Sequence, residues 1–386
     1  MVEQQHSLDD ESLLRLVSIP DGLGPDDDRN EPGKLLDAVY STMPTTLEKL
    51  IEDTHLNGDN RISFIVADLA MLWALEVGSK LGIKGAVFCP IAATMFALLC
   101  NLDKLLEDGI INSQGLLLTT EKTIPLSPNM PEMDPRNIFW LNMPGTKNGL
   151  NLMHITQTLN LTEWWLCNTT YELEPEVLNF VPKILPIGPL LRNYDHDNTN
   201  ATARSLGQFW KEDLSCMSWL DQQPNCSVTY VAFGSITLFD QNQFNELALA
   251  LDLTNRPFLW VVRPNNKMRY PYQFQGCKGK IIEWAPQQKV LNHPSIACFV
   301  SHCGWNSILE DQIYDKTYIC DVLNVGVGLN SDENGLVSRW EIQKQLNQLH
   351  NDQNIRSRSS KLKEKLINNK VRSSDNFDKF VKWLKE

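Results

Sequence analysis

The chain has 386 residues, 42% of them hydrophobic and 21% charged, a globular composition with room for two domains that each bury a core. A formal net charge of -12 argues against a nucleic-acid or anionic-membrane surface, while leaving room for a local positive potential at a phosphate site. The polar, acidic start MVEQQHSLDDES excludes a signal peptide there, the longest apolar run (86–100) is broken by Pro90 and too short to span a bilayer, and nine cysteines without CxxC spacing suit reduced thiols, so a cytoplasmic protein is expected.

Short apolar runs rich in β-branched residues alternate with helical patterns along the chain. Strands are expected at 14–19, 62–67, 85–89, 164–168 and 184–187, and after a break at 227–233, 257–262, 280–284, 296–301 and 325–329. Helices are expected between many of them, among others at 69–81, 241–253 and 337–350. Such alternation builds parallel sheets covered by helices, an α/β fold. The break is RNYDHDNTNATARSLG (192–207), polar and without periodicity, and reads as a linker. It separates an N-terminal α/β domain (1–191) from a C-terminal one (208–373), with an amphipathic terminal helix within 374–386. N-x-S/T triplets begin at Asn160, Asn168, Asn200 and Asn225 and are read as chance matches.

The densest chemistry lies in WAPQQKVLNHPSIACFVSHCGWNSILEDQ (284–312). Trp284 follows an expected strand and offers a flat apolar face on which a base can stack. A second strand ends before His302, and a turn at Gly304 leads into a helix starting near Trp305, Asn306 and Ser307. The first turn of a helix carries unpaired N–H groups and a partial positive charge, which stabilise a phosphate. His302, Asn306 and Ser307 add side-chain donors, and Glu310, about one turn beyond, can accept two hydrogen bonds from a ribose diol. Each residue also has a plainer reading. Tryptophans usually pack, histidines usually sit satisfied, and Asn-Ser before an apolar run usually caps a helix.

Taken whole, the string resembles the signature box of plant UDP-dependent glycosyltransferases, family 1 enzymes with a GT-B fold. VSIPDGL near 17, VADLAMLWALEVG near 66, PIGPLL near 186, SWLDQQPNCSVTYVAFGS near 218 and YICDVLNVGVGL near 318 are similar to further segments of that family. The resemblance implies two Rossmann-like domains with parallel sheets facing a cleft, both incomplete in this chain. It implies a UDP-sugar donor, a small lipophilic acceptor such as a flavonoid, a monomer, and no cofactor, metal, nucleic acid or membrane span. By position, Trp284 would stack on uracil with the Ala285 backbone and Gln287 nearby. His302, Asn306 and Ser307 would hold the diphosphate, Trp305 would flank the sugar, and Glu310 would bind the ribose. Ser235 and Thr237 would reach the phosphates from the other side.

Two departures stand out. The family deprotonates the acceptor with a histidine in the loop after its first strand, oriented by an aspartate. Asp68 stands at the aspartate's position, where it also reads as a helix N-cap. The opening strand and its Gly-His loop have no counterpart, and the context of His6 resembles no such loop. Inside the box, Glu310 runs straight into Asp311-Gln312, where the family has about fifteen further residues, including a parallel strand. On a continuing helix Asp311 and Gln312 point about 100° and 200° away from Glu310, as solvated residues would, and not towards sugar hydroxyls. The leading expectation is a UDP-hexose transferase, with glucose favoured by Gln312. Its alternative is a degenerate relative that binds nucleotide or a partner without transfer.

Overall fold

A computed structural model describes residues 16–29, 32–56, 61–125, 132–141, 152–190, 210–235, 237, 239–303, 318–368 and 370–386. The chain divides into two compact units, one comprising residues 1–190 together with 369–386, the other residues 191–368. The expected linker at 192–207 lies outside the described residues.

The first unit is built on a four-stranded parallel sheet in the order β1 (Phe64–Asp68), β2 (Lys84–Cys89), β3 (Trp164–Cys167), β4 (Ile184–Pro186). These strands are mostly apolar because both faces are covered. One face takes α1 (Pro32–Leu56), α2 (Trp73–Lys80) and α3 (Ala93–Cys100) through Val39, Ile51, Trp73, Leu75, Val77 and Phe96. Short helices α4 (Leu102–Glu107), α5 (Leu152–Leu159) and α6 (Pro175–Phe180) complete this layer.

The other face is covered from the far end of the chain. Helix α12 (Lys370–Leu384), the last in the chain, brings Phe380 and Trp383 against Phe64 and Trp164, with ring centroids 4.6–6.0 Å apart. Asn376 Nδ2 donates to the Pro186 carbonyl at 3.0 Å. The terminal helix thus begins earlier than the pattern at 374–386 indicated, and it belongs to the first unit.

The second unit carries β5 (Val228–Val231), β6 (Phe258–Val261), β7 (Gly279–Ile282) and β8 (Ile296–Val300), again all parallel, in the order β7-β6-β5-β8. Helices α8 (Gln241–Thr254) and α10 (Arg339–Asn351) bury Phe244, Leu247, Leu251, Ile342 and Leu346 against Val231 and Trp260. On the opposite face α7 (Ser215–Leu220) and α9 (Gln287–Leu291) bury Cys216, Leu220 and Val290 against Tyr230, Leu259 and Ile282. Helix α11 (Gln353–Asn368) follows α10.

Two expected strands do not form. Residues 16–19 are irregular, with Leu16 69% and Val17 54% exposed. A strand needs a neighbour to pair its backbone and cover its apolar side chains, and β1 is the edge of its sheet. Residues 325–329 are also irregular, and among the described residues β8 is the last strand on that side of the sheet. Two glycines in five residues, Gly326 and Gly328, weaken that run as a strand. The helix expected at 69–81 opens instead with a 3₁₀ turn, Leu69–Met71, before α2 begins at Trp73.

Candidate functional site

The order of the second sheet locates the site before any side chain is considered. From β5 the chain moves outward through β6 to β7, then returns to lay β8 on the other side of β5. β5 therefore lies between its successor β6 on one side and the last-laid β8 on the other, and it is at the carboxyl ends of strands where the order reverses that open α/β sheets bind ligands.

Two segments meet there. Gly234, three residues past β5, has φ +65°, and a Cβ on it would lie 2.6 Å from Cε1 of His302. Glycine is needed twice over, for the left-handed backbone and for the imidazole against it. His302 stands two residues past β8. Its Nδ1 is buried without a hydrogen-bond partner among the described residues. Burial, and after it the charge of Arg263, holds the His302 pKa below its usual value. An orphaned buried nitrogen costs about 1–3 kcal/mol, a cost that a ligand oxygen would relieve.

Arg263, two residues past β6, is 4% exposed. Its guanidinium donates to the carbonyls of Ser235 and Thr237, the latter at 2.5 Å, and to Asn265 Oδ1 at 3.2 Å. Asn266, 7% exposed, donates to the same Thr237 carbonyl at 3.2 Å and accepts from the Phe239 amide at 3.0 Å. The loop after β5 is thereby held through its carbonyl groups. Neither residue stood out in the sequence. Arg263 follows an apolar strand and precedes Pro264, so it reads as an ordinary strand end, and only the three-dimensional burial of its charge reveals it.

Trp284, two residues past β7, is half-buried and stacks on Trp210 with centroids 6.0 Å apart and planes 28° apart. Its carbonyl accepts from the Asp213 amide at 2.9 Å, which fixes the segment carrying Trp210. The plate therefore has an aromatic neighbour, Trp210, that no sequence signal had paired with it. Ala285 is buried. Gln287 opens α9, and its Oε1 accepts from the buried Tyr230 hydroxyl at 3.2 Å. Trp305, Asn306, Ser307, Glu310, Asp311 and Gln312 lie outside the described residues.

In the first unit Asp68 ends β1, and its Oδ1 accepts from the Ala70 amide at 2.8 Å, capping the 3₁₀ turn. Partial burial raises its pKa, opposed by that hydrogen bond. Among the described residues no histidine bonds to it. No group of three or more His, Cys, Asp or Glu among the described residues could hold a metal ion, and no described helix is long and apolar enough to cross a membrane.

Comparisons with known proteins agree with this fold. Residues 189–316 match the family model described as "UDP-glucoronosyl and UDP-glucosyl transferase". UDP-glycosyltransferase 83A1 of Arabidopsis thaliana is 38% identical over 398 aligned positions, covering 96% of this chain and 84% of the relative. That alignment is longer than the 386-residue chain, so parts of the relative lack a counterpart within it. A UDP-glucosyltransferase from Polygonum tinctorium, capable of glucosylating indoxyl, superposes with a TM-score of 0.76 at 25% identity, covering 97% of this chain and 86% of its own. Os79 from O. sativa, solved in complex with UDP, shares the fold with a TM-score of 0.73 at 24% identity, covering 90% and 83%.

Proposed function

The chain belongs to the UDP-glycosyltransferase family, and from that premise we propose that it binds a UDP-hexose, with glucose favoured, at the carboxyl ends of β5 to β8, as the donor for a hydroxyl of a small lipophilic acceptor such as a flavonoid or other secondary metabolite. The observation that carries the donor reading is His302 Nδ1, buried without a partner among the described residues, beside the loop after β5 at the point where the strand order of a parallel sheet reverses. Trp284 stacks on the base with Ala285 and Gln287 beside it. His302, Ser235 and Thr237 face the diphosphate, joined by Asn306 and Ser307. Glu310 takes the ribose, and Trp305, Asp311 and Gln312 lie toward the sugar. No cofactor or metal enters this reading, and the chain acts as a cytoplasmic monomer.

In the reaction the acceptor oxygen forms a bond to the anomeric carbon from the face opposite UDP. The anomeric C–O bond breaks with its electron pair leaving on the diphosphate, and the configuration inverts. The acceptor hydroxyl must also release a proton. Asp68 is spent as a cap and has no histidine bonded to it among the described residues. Loss of a general base lowers such a rate by about 10²–10⁴. This favours a second reading, a chain that holds the donor and turns over far more slowly than its relatives, or not at all. The gaps in the alignment with the Arabidopsis relative point the same way.

Incubating the purified chain with UDP-glucose and a flavonol separates the two. Glucoside formation at a rate typical of such enzymes, about 1 s⁻¹ or faster, would eliminate the second reading. UDP binding without glucoside would establish it.

A further inference from the structure

Arg263 is a buried cation whose hydrogen bonds, among the described residues, all end on neutral oxygens: two backbone carbonyls and one amide. A guanidinium withdrawn from water without a carboxylate among the described residues is costly, and an anion brought beside it would supply the missing counter-charge. It lies at the end of β6, on the β5 side of which the loop carrying Ser235 and Thr237 meets His302. Arg263, that loop and His302 therefore form one assembly at the carboxyl ends of three adjacent strands.

We propose that Arg263 is a positioning residue for the donor's diphosphate: its fork holds the Ser235–Thr237 loop by its carbonyls, and its unpaired charge makes the crevice selective for an anion. This inference rests on the donor reading above and adds to it a residue that does not itself touch the ligand. Two of the three bonds of the fork land on this loop, so its removal frees the loop and withdraws the charge together. Asn266 braces the same loop without carrying charge. Lysine in place of the arginine keeps the charge and loses the planar fork.

The test is calorimetric titration of the full chain, R263M and R263K with uridine, UMP and UDP. The wild-type chain is expected to tighten from uridine to UDP. R263M is expected to weaken UDP by about tenfold to a hundredfold while uridine changes by less than about twofold. R263K, with charge but no fork, should fall between them. A general loss of structure would weaken uridine and UDP alike, and that result overturns the proposal, as does a UDP affinity that R263M leaves unchanged. Should R263M fail to fold, R263K decides alone. A fall in the UDP-to-uridine affinity ratio of about threefold or more supports the proposal, and an unchanged ratio overturns it. A wild-type chain that binds neither nucleotide nor nucleoside sinks the donor reading and this inference with it, whereas normal wild-type binding with indifferent variants sinks the inference alone.

Discussion

At the carboxyl ends of the first sheet the carboxylates and thiols are consumed by the protein itself, and the one buried side-chain polar atom without a partner among the described residues of that unit is the neutral indole Nε1 of Trp73, at the start of α2. The Glu174 carboxylate, 1% exposed, accepts from the Ala93 and Thr94 amides at 2.8 and 2.9 Å and from the Thr94 and Thr169 hydroxyls at 2.7 and 2.6 Å, which caps α3. Asp68 caps the turn after β1, and the Cys89 and Cys167 thiols both donate to the Ile91 carbonyl at 3.4 Å. At the carboxyl ends of the second sheet the opposite holds. Among the described residues His302 Nδ1 is buried without a partner, and Arg263 is a buried cation whose hydrogen bonds end on neutral oxygens. Two parallel sheets with the same logic of construction therefore differ in what they leave unsatisfied. Buried groups are normally paired, so a buried cation beside an unpartnered imidazole is what supports the proposed ligand site at the second sheet, and the satisfied carboxylates of the first read as structure.

The comparison can be broken by substitutions on both sides. The largest effect is expected at Glu174. Burial pushes its carboxyl pKa up while four hydrogen bonds pull it down, and E174A leaves four donors without an acceptor. Urea unfolding should show a loss of about 4 kcal/mol in the first unit, with UDP affinity of the still-folded chain unchanged. His302 should behave the other way round. H302A removes a group that destabilises the unliganded protein, so stability should move by less than about 1 kcal/mol, yet UDP affinity should fall by about tenfold to a hundredfold. Equal losses of stability at both positions would erase the distinction.

A third prediction concerns pH. His350, 9% exposed, bonds to the Thr229 hydroxyl at 3.1 Å, and burial, followed by the charges of Arg256 and Arg356, lowers its pKa to about 4. The unfolded chain binds the proton near 6.5, so the folded state binds fewer protons between these values. Stability is complete above pH 6.5 and declines as the pH falls toward 4, by on the order of 2 kcal/mol. Unfolding curves of H350Q across that range should be flatter than wild type. Smallest is D68N. Asparagine caps a turn as well as aspartate does, so stability should shift by less than about 0.5 kcal/mol, and any residual glucoside formation should stay the same. A drop in turnover of tenfold or more, which would correspond to about 1.4 kcal/mol in the barrier, would return Asp68 to a role in orienting a base.

Much of this arrangement was legible before any coordinates. The alternation of apolar runs located all eight described strands, because strands buried on both faces are short and mostly apolar, as FLWV is throughout and VTYV is apart from two bonded hydroxyls. Runs 14–19 and 325–329 look the same locally, yet 325–329 and the described part of the first, 16–19, form no strand, because forming a strand depends on a neighbour that composition cannot supply. Trp284, Gln287 and His302 were visible as a string. Arg263 was not, since an arginine after a strand is common and only its burial makes it unusual. Asp68 showed both of its readings in the sequence, and its bond to Ala70 displays the cap.

The central claim is that the second unit's strand ends form a nucleotide diphosphate site that the folded chain retains whether or not it turns over. Calorimetric titration of the full chain with UDP tests it most directly. Saturable binding at one site per chain, tighter than uridine under the same conditions, is the predicted result. An absence of saturable heat from a chain that is folded by circular dichroism would contradict it.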